Sequence, residues 1–598
     1  MASTFFGLNI GTSGLYTYQA ALNTTAHNAA NAETKGYTRQ VLNTTAAKPI
    51  SIGSSYGMVG AGVTGVSITQ VRDSYYDTKF RQNMSTYGEY DKKLYYMQQV
   101  ENCFNELEDN GLVKAISNFS GALQDLSTDP SSTASRTSVI QYASSLTSYT
   151  NSLAKNLQSI QQEANTEIRT SADRINALSQ QIASVTKQIN ALEVGGGVAN
   201  DLRDARNLLI DELSSYANIT VTENIVTNGT GMTSYIVKLD DKILINTTDF
   251  LTLTCVPRDY KVNETDVDGL YDLYWSDGEA FNNESLSLTG TLAGLYATRD
   301  GNNGVNFQGD VASQEVVDGK KYVTLKNTNC NNELQLNIPQ SGRIQLGVYE
   351  VEYDSVSIEQ DADGSYVYKF GLKEEPLAAD RDYTGKKASI GNELEYKGVP
   401  YYMAKLNEFV RTFAKSINDI HKKGTNLKGE TGVDFFTARD LVTGEDKKLY
   451  GTGETMNETN SYFQMNCLNF SVSSKVKDQP DAIATAYSTT NGVEETDLLK
   501  DLLAKVNDQG MFNQGTPTSF IEAMVADIGI YTKEAETASK SQKNIVDAIE
   551  IQRMSISGVD TDEEAMNLVR FQNAYNLSAK VIQIMDEIYD KLINYTGA

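Results

Sequence analysis

Beyond Thr561 the apolar residues return at intervals of three and four. Leu568, Phe571, Tyr575, Ser578, Ile582, Met585, Tyr589 and Leu592 keep a strict heptad, which puts them on one face of a helix. A second seam, Ala574, Leu577, Val581, Ile584 and Ile588, runs beside the first. Two adjacent seams give the broad buried face expected in a multi-layer assembly. Taken by itself, this helix fits the core of an ordinary bundle better. Thr561-Asp-Glu-Glu564 reads as its capping box, with acidic residues in the first turn.

The opposite end has a sparser stripe. Leu8, Leu15, Leu22 and Ala29 recur at heptad spacing, with Tyr18 and Ala26 close by, in a stretch of Ala, Thr, Asn, Ser and Gly. Its small side chains suit close approach of another helix, and its lack of charge points to burial by something outside its own fold. A signal-anchor or a plain buried helix are the alternatives. Neither Lys nor Arg occurs before Lys35, and the apolar positions are not continuous, so a Sec-type leader is not expected.

The longest helical pattern predicts one helix from near Ser131 to Glu193, about 90 Å long at ~1.5 Å per residue. Its stripe runs from Leu153 through Ile168 to Leu192, and Gly195-Gly196-Gly197 stops it. The period resumes at Asp201–Leu213, so the two stretches predict an antiparallel helical hairpin. Alternating residues punctuated by glycine predict turns and short strands over Ile50–Val71. Alternation in Ser234–Leu239 and Ser365–Phe370, with Asp-Gly and Asn-Gly turns, predicts antiparallel strands from Ile219 to about Gly398. One helix is expected within them at Ser287–Arg299. Helices return at Tyr401–His421 and after Thr516-Pro517. The expected fold class is therefore α+β: a discontinuous long helical bundle formed by both terminal segments, with β-rich outer domains inserted in the middle.

Charge narrows the functions. Lys and Arg number 51 and Asp and Glu 77, a net −26, which argues against nucleic acid or an anionic membrane as partner. No apolar run is long enough to span a bilayer. Cys103, Cys255, Cys330 and Cys467 are far apart; buried free thiols are expected, with one long-range bridge as the alternative. Gly60-Ala-Gly-Val-Thr-Gly65 has dinucleotide-loop spacing, but Val66–Val71 continues as a strand where a helix should open. Asp266-Val-Asp-Gly269 and Asp361-Ala-Asp-Gly364 begin like calcium loops, yet Trp275 and Phe370 stand where a bidentate Glu is needed. These read as turns. No catalytic residue, cofactor or metal site is expected.

Several stretches carry a resemblance. Asn28-Ala-Ala-Asn31 with Thr34-Lys-Gly-Tyr37 resembles the N-terminal signature of bacterial flagellar rod, hook and hook-associated proteins. Ala122–Pro130, Ala199–Arg206, His421–Gly424 with Gly432–Phe436, and Ser557–Val581 resemble the family of the first hook-associated protein, at the hook–filament junction. Ala29 and Lys35 depart from the family's usual Ile and Pro-like residues. The resemblance implies a terminal helical inner-tube domain at 1–48 and 556–598 and a helical bundle at 49–218 and 400–555. A β-rich outer domain is expected at 219–300, and a second, or an insertion, at 301–399.

It also implies a structural role without catalysis and export through the flagellar type III route to the outside of the cell. The implied partners are hook protein, the second junction protein, copies of itself in a ring, and an export chaperone on the C-terminal helix. A sister axial protein, or a secreted enzyme on a flagellar scaffold, remains as an alternative. Leu8, Leu15, Leu22, Tyr37, Leu568, Phe571, Tyr575, Ile582, Met585, Tyr589 and Leu592 are the expected assembly interface, although Tyr37 fits an ordinary packed tyrosine equally well.

Overall fold

The structure, a computed structural model, describes residues 6–595 except 54–56, 105–110, 227–231, 362–363, 374–380, 452–453, 455, 457–459, 489, 491 and 493. Asp363 of the second Asp-Gly stretch lies outside the described residues. Helix α1 spans Phe6–Ala30. Strands β1 (Gln40–Ala46), β2 (Ile50–Gly53), β3 (Gly57–Val59) and β4 (Val63–Gln70) follow it, with β1 paired to β4 and β2 to β3. Gly62, at φ +106°, turns the chain into β4. The glycine-rich stretch therefore opens onto a strand, as its residues predict.

Four helices come next: α2 (Ser74–Cys103), α3 (Leu112–Thr128), α4 (Thr133–Glu193) and α5 (Asn200–Tyr216). Ser132 caps α4 by accepting from the Ser135 N–H at 3.3 Å. The stripe Leu153, Leu157, Ile160, Ala164, Ile168, Ile175, Leu178 and Ile182 is buried along it. Helix α5 returns antiparallel to α4, held by Arg203 on Glu193 at 2.7 Å and Arg174 on Glu212 at 2.7 Å.

Strands β5 (Ile219–Ile225), β6 (Thr233–Leu239), β7 (Lys242–Asn246) and β8 (Asp249–Phe250) form one antiparallel sheet, and β9 (Leu253–Pro257) with β10 (Tyr271–Trp275) a ribbon. The segment 219–300 shares its core with the helices: Tyr235, Val237, Ile245, Leu273 and Trp275 belong to the same buried cluster as Leu178 and Ile182. Helix α6 (Thr291–Asp300) closes it. The predicted start at Ser287 moves to Thr291 because Gly290, at φ +94°, breaks the turn before it.

Residues 307–390 close into a barrel. Strands β11 (Phe307–Val317), β12 (Lys320–Lys326), β13 (Gly342–Leu346), β14 (Tyr349–Gln360), β15 (Tyr366–Leu372) and β16 (Lys387–Ile390) run in the order β11-β12-β15-β14-β13-β16, and β16 pairs back onto β11. Closure removes the open sheet edges that would otherwise pair with other chains. The barrel has a core of its own, including Phe307, Val323, Ile344, Tyr368 and Phe370.

Helix α7 (Val399–His421) returns to the helical body, followed by β17 (Phe436–Ala438), β18 (Phe470–Val472) and the short helices α8 (Ser474–Asp478) and α9 (Asp497–Val506). Phe119, Phe409, Phe413, Phe436 and Phe512 fill this end of the core in edge and stacked contacts. Helix α10 (Pro517–Ser557) starts at its Thr516 cap and runs back along α2 to α11 (Thr561–Asn594). The four cysteines are free thiols. Among the described residues no helix is long and apolar enough to cross a membrane.

His421 ends α7 fully buried. Its Nδ1–H donates to the Val433 carbonyl at 2.6 Å, and Nε2 accepts from the Ala484 N–H at 2.9 Å. A second ring proton would point at that N–H, and burial pushes the imidazole pKa down to about 4. The unfolded chain takes up this proton from about pH 6.5 downward, while the fold resists it to about pH 4. The His421 contribution is thus complete above pH 6.5 and declines between those values, by roughly 3 kcal/mol in total. Urea unfolding at pH 7 and pH 4.5 should show a smaller pH-dependent loss for His421→Gln than for the parent chain.

Candidate assembly interface

Helices α1 and α11, from opposite ends of the sequence, pack antiparallel. Gly7 lies against Met585, Gly11 against Ile582 and Gly14 against Ser578. The approach is close: a Cβ on Gly11 would stand 2.7 Å from Ile582 Cγ1, and one on Gly14 2.7 Å from Ser578 Oγ. The buried line of α1 is Gly11, Gly14, Thr17, Ala21, Thr24, Thr25 and Asn28. The predicted Leu8, Leu15 and Leu22 are half-buried beside it, whereas Ala26 and Ala29 are exposed. Hydrophobic periodicity overlooks such a contact line because its members have little apolar surface; their small size is the signal.

On α11, Leu568, Phe571, Tyr575, Ile582, Met585 and Tyr589 are half-buried, and Leu592 is exposed. Glu564 is the one buried residue of this helix among those described. From Leu577 onward the second seam is open to solvent, with Leu577 68%, Val581 40%, Ile584 46% and Ile588 43% exposed, while Ala574 at its start is half-buried. Met566 and Val569 extend the exposed apolar surface toward the helix start. Exposed apolar stripes of this kind are typical of interaction surfaces.

The turn after α1 is built by Asn28. Its Nδ2 donates to the Gln40 carbonyl at 2.8 Å, while its Oδ1 accepts from the Gln40 N–H at 3.0 Å and from Tyr37 Oη at 2.8 Å. Gly36, at φ +80°, allows the reversal and packs on Leu208 of α5. Burial, with the carboxylates of Asp201 and Asp204 nearby, holds the Tyr37 phenol un-ionised well above its ordinary range. Tyr37 therefore braces the first turn within one chain.

The next residues lock this end to the helical body. Thr38 gives its N–H and hydroxyl to Asp204 at 3.0 and 2.6 Å. Arg39 reaches Glu563 and Glu564 at 2.9 and 3.0 Å, and its N–H donates to the Ser557 carbonyl. Arg553 joins Asp77 at 3.0 Å and Asp211 at 2.5 Å, so α10, α2 and α5 meet at one charged node. The predicted capping box is corrected here. Asp560 is the cap, accepting from the Asp562 and Glu563 N–H groups, because Glu564 is committed to Arg39. Arg39→Ala leaves the buried Glu564 carboxylate without its cation. It should destabilise the start of α11 by roughly 2–3 kcal/mol, at the low side of values for a broken buried pair because Arg39 is partly exposed. Hydrogen exchange of the amides at 561–570 measures that loss.

Segments from opposite ends of the sequence are thus folded into one column, with an apolar seam left exposed along it. Comparison with known proteins identifies the family. The chain matches the flagellar hook-associated protein FlgK helical domain over residues 97–311 and 320–436, and the flagellar basal body rod FlgEFG protein C-terminal region over 545–594. It is 28% identical to flagellar hook-associated protein 1 of Bacillus subtilis over 604 residues, covering 100% of this chain and 99% of that protein. The protein of the same description in Escherichia coli is 24% identical over 618 residues, covering 98% and 99%. The solved flagellar hook junction protein FlgK from Burkholderia pseudomallei aligns with TM-score 0.47 at 15% identity, over 80% of this chain and 100% of that one. The chain belongs to the FlgK family of flagellar hook-associated proteins, structural components of the flagellum.

Proposed function

We propose that the chain joins hook to filament as a non-catalytic subunit, packing through the α1–α11 column against copies of itself and against neighbouring axial proteins. The observation that carries this reading is the open seam Leu577, Val581, Ile584 and Ile588 on a helix already paired along its other face. The half-buried Leu8, Leu15, Leu22, Leu568, Phe571, Tyr575, Ile582, Met585 and Tyr589, and the exposed Leu592, flank that seam and keep surface for neighbours to cover. Tyr37 supports the column from its first turn. The domain division follows the same logic: the column at 1–48 and 556–598, the helical body at 49–218 and 400–555, and the β segments 219–300 and 301–399 outside the axis.

Hook protein and the second junction protein are the axial neighbours in this reading. A holding chaperone would cover the same face of α11 before export to the cell exterior, where an uncovered apolar stripe would otherwise aggregate. The test is a negative charge in the seam. Leu577→Asp should leave thermal stability within about 0.5 kcal/mol of the parent, as for an exposed site. It should reduce the number of filaments retained per cell while the chain still reaches the medium. Unchanged filament numbers with normal export would refute the proposal.

A further inference from the structure

The barrel is carried on a narrow neck. Its chain leaves the helical body after Gly301 and returns before Gly398, and in the neck two segments run side by side. Asn303 donates its N–H to the Tyr396 carbonyl at 2.8 Å, and Gly304 donates to the Leu394 carbonyl at 3.0 Å. A Cβ on Gly301 would stand 2.3 Å from the Ala297 carbonyl oxygen, and one on Gly398 2.4 Å from the same atom. The neck is therefore thin where it meets α6. A two-stranded ribbon twists readily and is only marginally rigid by itself. Because the barrel has a core of its own, on the neck alone it would swing.

A strap holds it. In the connection from β12 to β13, Leu336 and Ile338 belong to the barrel core, whereas Leu334 packs against the core of the helices. Glu333, fully buried, accepts the hydroxyls of Tyr450 and of Ser461, the latter at 2.6 Å. Gln335 donates to Glu408 of α7 at 2.7 Å. Arg411 of α7, also fully buried, donates to the Leu336 carbonyl of the strap at 2.6 Å. Its other donors reach the Met465 and Phe463 carbonyls at 2.6 and 3.1 Å, and Glu264 in the β9–β10 connection at 2.5 Å. One planar guanidinium thus ties the strap, the loop before β18 and the β9–β10 connection to α7. Arg343 with Asp259, at 3.2 Å, adds little because Asp259 is largely exposed.

We propose that Arg411 and the strap form a lock that holds the barrel at one fixed orientation on the helical body. Load on the barrel then passes through α7 into the body instead of bending the neck. The lock is independent of how the column packs. It gives the buried Glu264–Arg411 pair a positioning role. Replacing both partners of a buried ion pair by apolar residues of similar size is often neutral for stability, whereas removing one partner is not. The double replacement therefore opens the lock while sparing both cores. The carbonyls of Leu336, Phe463 and Met465 then lose their donor, and water reaches them only if the barrel swings away.

The test uses the full chain, with nitroxides on azide-bearing residues introduced at Val348 on the barrel and Ser152 on α4, both exposed. Azide chemistry leaves the native thiols unlabelled. Pulsed electron resonance then measures the distribution of distances between the two labels. The parent chain should give one narrow distribution. Glu264→Met with Arg411→Met should widen it about twofold or more, as a freed hinge requires. Glu333→Ala should widen it too. Hydrogen exchange in β12, β15 and α4 should stay as in the parent, so that both cores are seen to be intact. A broad distribution in the parent overturns the proposal. So does a narrow one in the pair variant with both cores protected. If the pair variant loses protection in α7, Glu333→Ala decides, since it alters the strap alone, and an unwidened distribution there refutes the lock. Loss of protection in the barrel strands of either variant also counts against it, because the strap would then serve the barrel's fold and not its attachment.

Discussion

Cells carrying Val581→Asp together with Ile584→Asp should keep hooks and lose filaments. In the free chain both residues are exposed, so the substitution removes little packing, and the melting temperature should stay close to that of the parent. In the assembled axis the same positions would be covered, and each aspartate without a cation partner costs several kcal/mol there. Two such charges per subunit would exceed what a set of individually weak seam contacts can absorb. Filament protein should accumulate in the medium and bare hooks should appear by electron microscopy. Measuring this chain in the medium separates failed assembly from failed export. Phe571 and Ile582 are poorer probes, because Ile582 already packs on Gly11 within one chain and a charge there disturbs the free subunit too.

The second large effect concerns the column. Gly11→Leu with Gly14→Leu should separate α1 from α11 by about 2–4 kcal/mol, from two adjacent overpacked positions each in the ~1–3 kcal/mol range. A Cβ on Gly11 would lie 2.7 Å from Ile582 Cγ1 and already 3.4 Å from Ile582 N and Ser578 O, so the further carbons of a leucine run into backbone that no rotamer change moves. Intrinsic helix propensity acts in the opposite direction, since each Gly→Leu change favours an isolated helix by ~0.8 kcal/mol. A net loss therefore reports packing. Hydrogen exchange should rise across 6–30 and 561–594 and remain unchanged in α4 and the barrel, whose cores contain neither glycine.

The elements that the chain announces are those set by local chemistry. Ser132 and the stripe of α4 place a 61-residue helix within two residues of its predicted start, and Thr516-Pro517 places α10. The barrel was visible only as alternating strands. Its closure joins β11 to β16 across some eighty residues, and no local pattern encodes that pairing. In the column, the leucine heptad marks the flanks of α1, while the contact line is written in the small residues Gly11, Gly14, Thr17 and Ala21. Glu564 has the spacing of a capping residue but pairs with Arg39, more than five hundred residues away. The charge node at Arg553 is likewise a property of residues distant in sequence, brought together by the fold.

The most direct test of the account is an electron cryo-microscopy map of the hook–filament junction containing this chain. Leu577, Val581, Ile584 and Ile588 should lie against a neighbouring subunit there, with α1 and α11 paired through Gly11 and Ile582 as in the free chain. A map in which that seam faces open solvent or the central channel, with neighbours contacting only other surfaces, would contradict it.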